Sequence, residues 1–216
     1  MDEPTRVLKD AENNESAIPQ IAPVMVLPNT LLFPDSLLPL FIFEERYREM
    51  LAWALEHDRM FCMALLRKGR EDWSAPGDFH HVAGLGMIRA SVGHDDGTAH
   101  LILQGLARVE FTGFVQTEPF VIAELRELPV AKAKPEEATA LSAVILELCA
   151  QQSARGAVLP EGLDRELGAV PDAGTLSDLV ANTLLRDPYR RQNVLETADV
   201  SARLRALIGH LRAELA

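Results

Sequence analysis

No apolar run in this chain approaches the roughly 18 to 20 residues that a membrane-spanning helix requires. The first residues, Met-Asp-Glu-Pro-Thr-Arg, are acidic and polar where a secretory leader would be basic and then apolar. Neither a membrane span nor export is therefore expected. Cysteine is scarce as well. Cys62 and Cys149 are the only two in 216 residues, and both sit inside apolar patterns. They read as small buried hydrophobes, not a disulfide framework, which fits a reducing cytoplasm. Positive charge is outweighed, 21 Lys+Arg against 32 Asp+Glu, for a formal net charge of −11. Such a balance repels nucleic acid and anionic membrane surfaces unless a local basic stripe compensates. The densest basic group, Arg186, Arg190 and Arg191, reads as a solvated helix end instead of a phosphate clamp.

Assembled reactive groups are missing too. There is no G-x-x-x-x-G-K-[ST] to cradle phosphates. Gly84-Leu-Gly86 begins a dinucleotide fingerprint, but Arg89 stands where its third glycine belongs and no helical pattern follows. No G-x-S-x-G elbow occurs, and Ser36 and Ser91 fall in a turn and a strand without a His/Asp arrangement. His80 and His81 are adjacent and would point to opposite faces of an extended chain. His57, His94, His100 and His210 lack ligand spacing, and His57 with Cys62 would supply only two ligands. The carboxylate pairs Glu44-Glu45, Asp95-Asp96 and Glu136-Glu137 lie at helix starts or a turn tip, where solvation and the helix dipole account for them. No metal and no cofactor are expected.

What the chain does have is apolar material, 48% of its residues, enough to bury a sizeable core. It is organised around Pro39-Leu-Phe-Ile-Phe-Glu-Glu-Arg-Tyr-Arg-Glu-Met50, a buried strand leading into an amphipathic helix. Phe43, Tyr47, Met50, Leu51 and Ala54 form that helix's apolar stripe, and Glu44, Arg46 and Arg48 lie toward its start. Val24–Leu27, Met60–Leu66, Val82–Ser91, Ala99–Phe111 and Phe120–Leu125 read as further strands, and Asp96-Gly97 as a hairpin turn. From Lys132-Ala-Lys-Pro135 onward every periodic segment repeats at 3.6. Leu141, Val144, Ile145, Leu148 and Cys149 make one stripe, a capping box at Thr175-Leu-Ser-Asp178 opens another helix, and Asp199 caps the last. The expected fold class is α+β: a barrel-like sheet with one early inserted helix, then a helical bundle. Its expected divisions are a flexible arm over 1–17, a β-rich lobe over 18–130 and a helical lobe over 131–216.

Lys68 to His81 breaks every pattern and reads as a loop whose only large apolar groups are Trp73 and Phe79. These are either partner anchors or a lid folded back on the core, and the lid is preferred. Phe33, beside Pro34, is a third candidate anchor. Glu44, Arg46 and Arg108 neighbour core positions and are expected to form Arg–carboxylate pairs tying helix to sheet.

Several of these residues carry a resemblance. Val26-Leu27-Pro28 with Phe33-Pro34, then Pro39-Leu40-Phe41-Ile42-Phe43-Glu44 and Arg46-Tyr47-Arg48, are followed by Gly84 with Ile88, Gly105-Leu106-Ala107-Arg108 and Pro119-Phe120. Leu179-Val180-Ala181, Gln192 to Glu196 and Arg203-Leu204 continue the series. In that order and spacing the chain resembles a stand-alone N-terminal substrate-binding domain of Lon-type ATP-dependent proteases, a domain also found in cereblon. The resemblance spans roughly Ile18 to Leu211 and implies a PUA-like pseudo-barrel followed by a helical bundle. It also implies a module that engages unfolded or specific protein substrates and helps assembly, with hydrolysis left to separate AAA+ and Ser-Lys protease domains. Neither domain's motif occurs here, and the chain ends at Ala216, before an ATPase would start. PUA-like folds elsewhere bind RNA, an activity the acidic balance does not support. The expected function is therefore non-catalytic polypeptide binding in the cytoplasm. A regulatory or adaptor subunit docking on a separate Lon or AAA+ protease is the alternative. A hydrolase built on His80, His81 or a carboxylate pair rests on no motif.

Overall fold

The structure, a computed structural model, describes residues 18–155, 163, 167, 169–170 and 172–215. The arm expected over residues 1–17 lies outside the described residues, as does most of the connection between 156 and 171.

Six strands make one sheet: β1 (Ile21–Leu27), β2 (Leu37–Ile42), β3 (Met60–Leu65), β4 (Val82–Gly93), β5 (Ala99–Gln116) and β6 (Val121–Glu127). Helix α1 (Glu45–Glu56) stands between β2 and β3. β1 and β3 are paired in parallel, which a tight turn cannot achieve, so the chain between them must travel away and return. The strand order is β2-β5-β4-β3-β1-β6, and β6 pairs again with β5, closing a five-stranded barrel with β2 outside the ring. The 18 residues of β5 make this possible. Its first part, Ala99 to Gln104, carries β2, and its last, Val109 to Gln116, carries β6.

Every ring strand contributes to one buried cluster of mostly small side chains, among them Ala22, Val24, Cys62, Ala64, Ala83, Val109, Val121 and Ala123. That cluster is the barrel interior. On the other side of the strands, Met25, Phe61, Met63, Ile88 and Leu103 pack with Tyr47, Met50, Leu51 and Ala54 of α1. Strand β3 is buried at all six positions because both its faces are covered.

The connection from β1 to β2 runs across the sheet and buries Leu32 in the core on the α1 side and Leu31 and Phe33 in the core shared with the helical lobe. Glycines permit the crossing. A Cβ at Gly84 would fall 1.9 Å from the Leu32 carbonyl oxygen, and one at Gly105 would fall 2.0 Å from that of Phe33. Asp35 N donates to Gly105 O at 3.0 Å and Gly105 N to Ser36 O at 2.9 Å, stitching the segment down. Gly84 thus serves close backbone approach, while Gly86 leaves room for the Leu32 and Leu103 side chains.

Beyond the sheet, α2 (Pro135–Ala154), α3 (Ala173–Leu184), α4 (Pro188–Glu196) and α5 (Val200–Leu215) form the helical lobe. Its core gathers Ile145, Leu148, Val180, Leu195, Leu204 and Leu207, and it takes in Leu31, Phe33 and Leu65 from the barrel side. Barrel and helices therefore share apolar core.

Three local expectations change. Phe43 is 60% exposed and precedes α1, because the helix begins only at Glu45 and the helical period does not reach back to it. The strand holding Pro39 is half-buried and lies at the sheet edge, where a missing N–H costs no ladder bond. Helix α3 is capped by Asp172, whose side chain accepts from Gly174 N and Thr175 N, and Asp178 is buried instead of closing a capping box.

Candidate binding surface and the seam behind it

Most of the large hydrophobic side chains exposed among the described residues lie on β2, just after it, or on β4 and β5. Leu37 (64%), Phe41 (48%), Phe43 (60%), Val92 (62%) and Ile102 (40%) all reach solvent. Alternation along β2 explains the outward set: Leu37, Pro39 and Phe41 turn out while Ile42 is 2% exposed. A groove of about 470 Å³ runs over this face, lined by Pro39, Leu40, Phe41, Val92, His100 and Ile102 among others. Phe41 stacks on Phe43 with centroids 5.9 Å apart and lies 4.6 Å from the His100 ring, so the aromatic wall is continuous. A smaller cavity of about 160 Å³ adjoins it, between Phe41, Phe43, Glu44 and Tyr47.

The three anchors expected from sequence lie elsewhere. Phe33 and Phe79 are both 0% exposed, so in this conformation neither ring presents surface. Phe79 meets Trp73, Phe111 and Phe114 edge to face at 5.9 to 6.3 Å. Trp73 is half-buried, and its Nε1 donates to Tyr47 Oη at 3.3 Å. The loop is folded down as a lid, and polar contacts hold it. Arg46 donates to both carboxylate oxygens of Asp72, at 3.1 and 3.3 Å, and its guanidinium lies over the Tyr47 and Trp73 rings at 4.8 and 5.3 Å. Backbone N–H groups of Ser74 and Ala75 bind Asp78 and hold its carboxyl below the usual range. Arg46 also pairs with Glu44 at 2.8 Å, so these charges tie α1 to the loop, not to the sheet as expected.

Arg108 performs the tying that sequence assigned to it, with partners that sequence did not name. It is 4% exposed, donates from Nε to the Leu195 carbonyl at 3.0 Å and from a terminal nitrogen to Asp178, and lies 5.9 Å above the Phe33 ring. Asp178 Oδ1 accepts a second guanidinium, Arg203, at 3.3 Å. Arg203 is 1% exposed and also donates to the carbonyls of Thr197 (2.8 Å) and Ala198 (3.3 Å). Burial, followed by the like charge of Arg108, pulls the Arg203 guanidinium down, and Asp178 opposes this. Nearby, Gln192 Nε2 donates to Val82 O and to Glu196, His80 bonds Glu196 at 2.8 Å, and Arg191 reaches Asn29 O. Together these lock the helices to the barrel. The other histidines are also engaged. His81 Nε2 lies 2.9 Å from Pro76 O, and His57 stacks on Trp53 at 3.7 Å. Cys62 is fully buried and its thiol is pushed up by that burial. Among the described residues no three His, Cys, Asp or Glu side chains are grouped to hold a metal ion. Among them, no helix is long and apolar enough to cross a membrane.

A six-stranded sheet closed into a barrel and clamped to a helical lobe defines an α+β protein of the Lon N-terminal domain fold. Two solved structures share it: the N-terminal domain of Mycobacterium avium complex Lon protease, with TM-score 0.71, 20% identity and coverage of 89% of this chain and 98% of that one. The other, from Xanthomonas campestris, is described as a Lon N-terminal domain protein, with TM-score 0.61 and 20% identity over 88% of this chain and 97% of that one. The family model for the ATP-dependent protease La (LON) substrate-binding domain matches residues 21–213, and the chain belongs to that family. Among curated relatives, Lon protease of Desulfosudis oleivorans is 26% identical over 206 residues, 95% of this chain and 25% of that protein. Lon protease of Koribacter versatilis is 29% identical over 204 residues, 94% and 25%. The chain spans about a quarter of the length of these relatives.

Proposed function

We propose that the protein is a non-catalytic binding module that holds extended, apolar segments of unfolded polypeptide on the outer face of β2. The observation that carries this reading is the exposed set Phe41, Val92 and Ile102 lining one groove, with exposed Phe43 stacked against Phe41 beside it. Scattered apolar residues on a surface are ordinary; a contiguous set lining a groove marks a place where something binds. An extended segment can lay alternate side chains into the groove, gaining from buried area and asking little of sequence. Ordering costs oppose that gain and set the affinity at about micromolar. Membership of a family described by substrate binding supports the reading, as does the absence of catalytic motifs from the sequence. The groove, and not Trp73 or the buried Phe33 and Phe79, is the contact surface.

Calorimetric titration with an unfolded apolar peptide tests it. Binding should be measurable for the native chain and lost in Phe41→Ser with Phe43→Ser, at unchanged melting temperature. Retained binding in the double variant overturns the site. Casein cleavage by the pure chain, with or without ATP, overturns the non-catalytic assignment.

A further inference from the structure

The turn joining β4 to β5 stands between two depressions. One is the apolar groove. The other, about 430 Å³, lies between the hairpin and α1, and Ser91 borders both. Leu51, Leu55 and Ala99 floor the second cleft, and its charged or chargeable lining is Arg48, Arg59 and His94, with no carboxylate among the lining residues. This is a basic cleft on a chain of net charge −11. The turn's acids, Asp95 and Asp96, do not line the cleft: the Asp96 carboxylate keeps its charge but is turned back onto the turn, accepting from Thr98 N at 3.0 Å and Thr98 Oγ1 at 2.7 Å. Arg48 donates only to the Asp96 backbone carbonyl, at 3.3 Å, and so keeps its charge unneutralised. Among the described residues, no hydrogen bond or ion pair engages the Arg59 side chain. Arg59 also adopts φ +56, a left-handed backbone unusual for a residue other than glycine. Arg46, two residues before Arg48, is by contrast paired with Glu44 and Asp72.

We infer that this basic cleft reads acidic residues flanking the apolar segment held in the neighbouring groove, so the preferred client is an apolar stretch bordered by Asp or Glu. The inference rests on the groove reading above and adds a selectivity to it. Guanidinium groups held without a carboxylate beside an apolar floor favour a ligand that brings its own carboxylate on an apolar body. The rest of the acidic surface repels such clients at long range, so the preference acts locally and weakens with salt.

Three short extended peptides with one Leu-Phe-Leu core, flanked by Asp, Asn or Lys, are titrated against the full chain by fluorescence anisotropy at low and high salt. The Asp-flanked peptide should bind about tenfold tighter than the Asn-flanked one, a difference of about 1.4 kcal/mol. The Lys-flanked peptide should bind most weakly. High salt should shrink the spread, and Arg48→Gln with Arg59→Gln should erase it while leaving the Asn-flanked affinity within about twofold. Equal affinities, a reversed order or a preference surviving in the double variant overturns the inference and leaves the groove standing. Displacement of the Asp-flanked peptide by inorganic phosphate, at matched ionic strength and without effect on the Asn-flanked one, assigns the cleft to free anions and also overturns it. If none of the three binds, the groove itself fails and the inference falls with it.

Discussion

At the seam between barrel and helices, Arg108, Asp178 and Arg203 are 4%, 5% and 1% exposed, and bonds to one another and to backbone carbonyls surround them. On β2 and just past its end, Leu37, Phe41 and Phe43 are 64%, 48% and 60% exposed, and Phe41 lines the open groove. Charge has been taken inside at the first place and apolar surface left outside at the second, each against the usual preference. Bonding explains why the seam can persist. Buried charge is tolerated only when partnered, and apart from Arg191 Nε and Gln192 Oε1 no described buried side-chain nitrogen or oxygen lacks a partner. No such compensation covers β2, and its exposed apolar wall is the surface on which the proposed binding rests.

Opposite materials should answer mutation oppositely, and the seam should give the largest loss. Asp178→Ala leaves two guanidinium groups buried and facing each other, and should cost about 3–5 kcal/mol in denaturant unfolding. A loss under about 1 kcal/mol would mean water already reaches the seam. Gly84→Ala comes next, since its methyl would overlap the Leu32 carbonyl, and an overpacked site costs about 1–3 kcal/mol. Gly77→Ala, with open space around it, should change stability by less than about 0.5 kcal/mol in the same assay.

A smaller effect is expected from acid. Burial raises the Glu196 carboxyl, but hydrogen bonds from His80 and Gln192 and the charges of His80 and Arg67 outweigh it and place it below its ordinary value. The folded state then holds this proton less readily than the unfolded chain. Its contribution is fully present above the ordinary carboxylate range near pH 4.3 and is lost as pH falls through the lowered value. Glu196→Gln should therefore flatten part of the acid limb of a stability-against-pH curve and cost up to about 1 kcal/mol at neutral pH. An unchanged limb would remove Glu196 from the lock. The least change in stability belongs to Phe41→Ser with Phe43→Ser, within about 0.5 kcal/mol by thermal melting, although peptide binding is expected to vanish.

The α+β order was legible because strands and helices leave different periods, and β3 and α1 carried strong ones. Phe43 shows the limit. Period alone extended the helix stripe by one turn and drew into the core a side chain that stands exposed beside the groove. Asp178 shows another. Three residues after a threonine it matched a local capping pattern, and no local signal reveals a partner 70 positions away such as Arg108. Phe33 and Phe79 were sought as anchors because aromatics in turns and loops invite that reading, yet loops fold down when their polar groups find partners, as Asp72 and Asp78 do. A signal for the groove was present in Leu37-Leu38-Pro39-Leu40-Phe41: an apolar run on both faces of a strand that its own proline places at the edge.

One feature of the sheet bears on how the chain is made. β1 is laid down among the first described residues, yet one of its two neighbours, β6, arrives only after Phe120, and the same strand must seal the far half of β5. On the ribosome, a nascent chain halted before Val121 therefore leaves bare the two strand edges that β6 covers, those of β1 and the far half of β5. Delivery of that final ribbon converts an open, sticky sheet into a sealed ring, so the barrel's completion waits on its last strand.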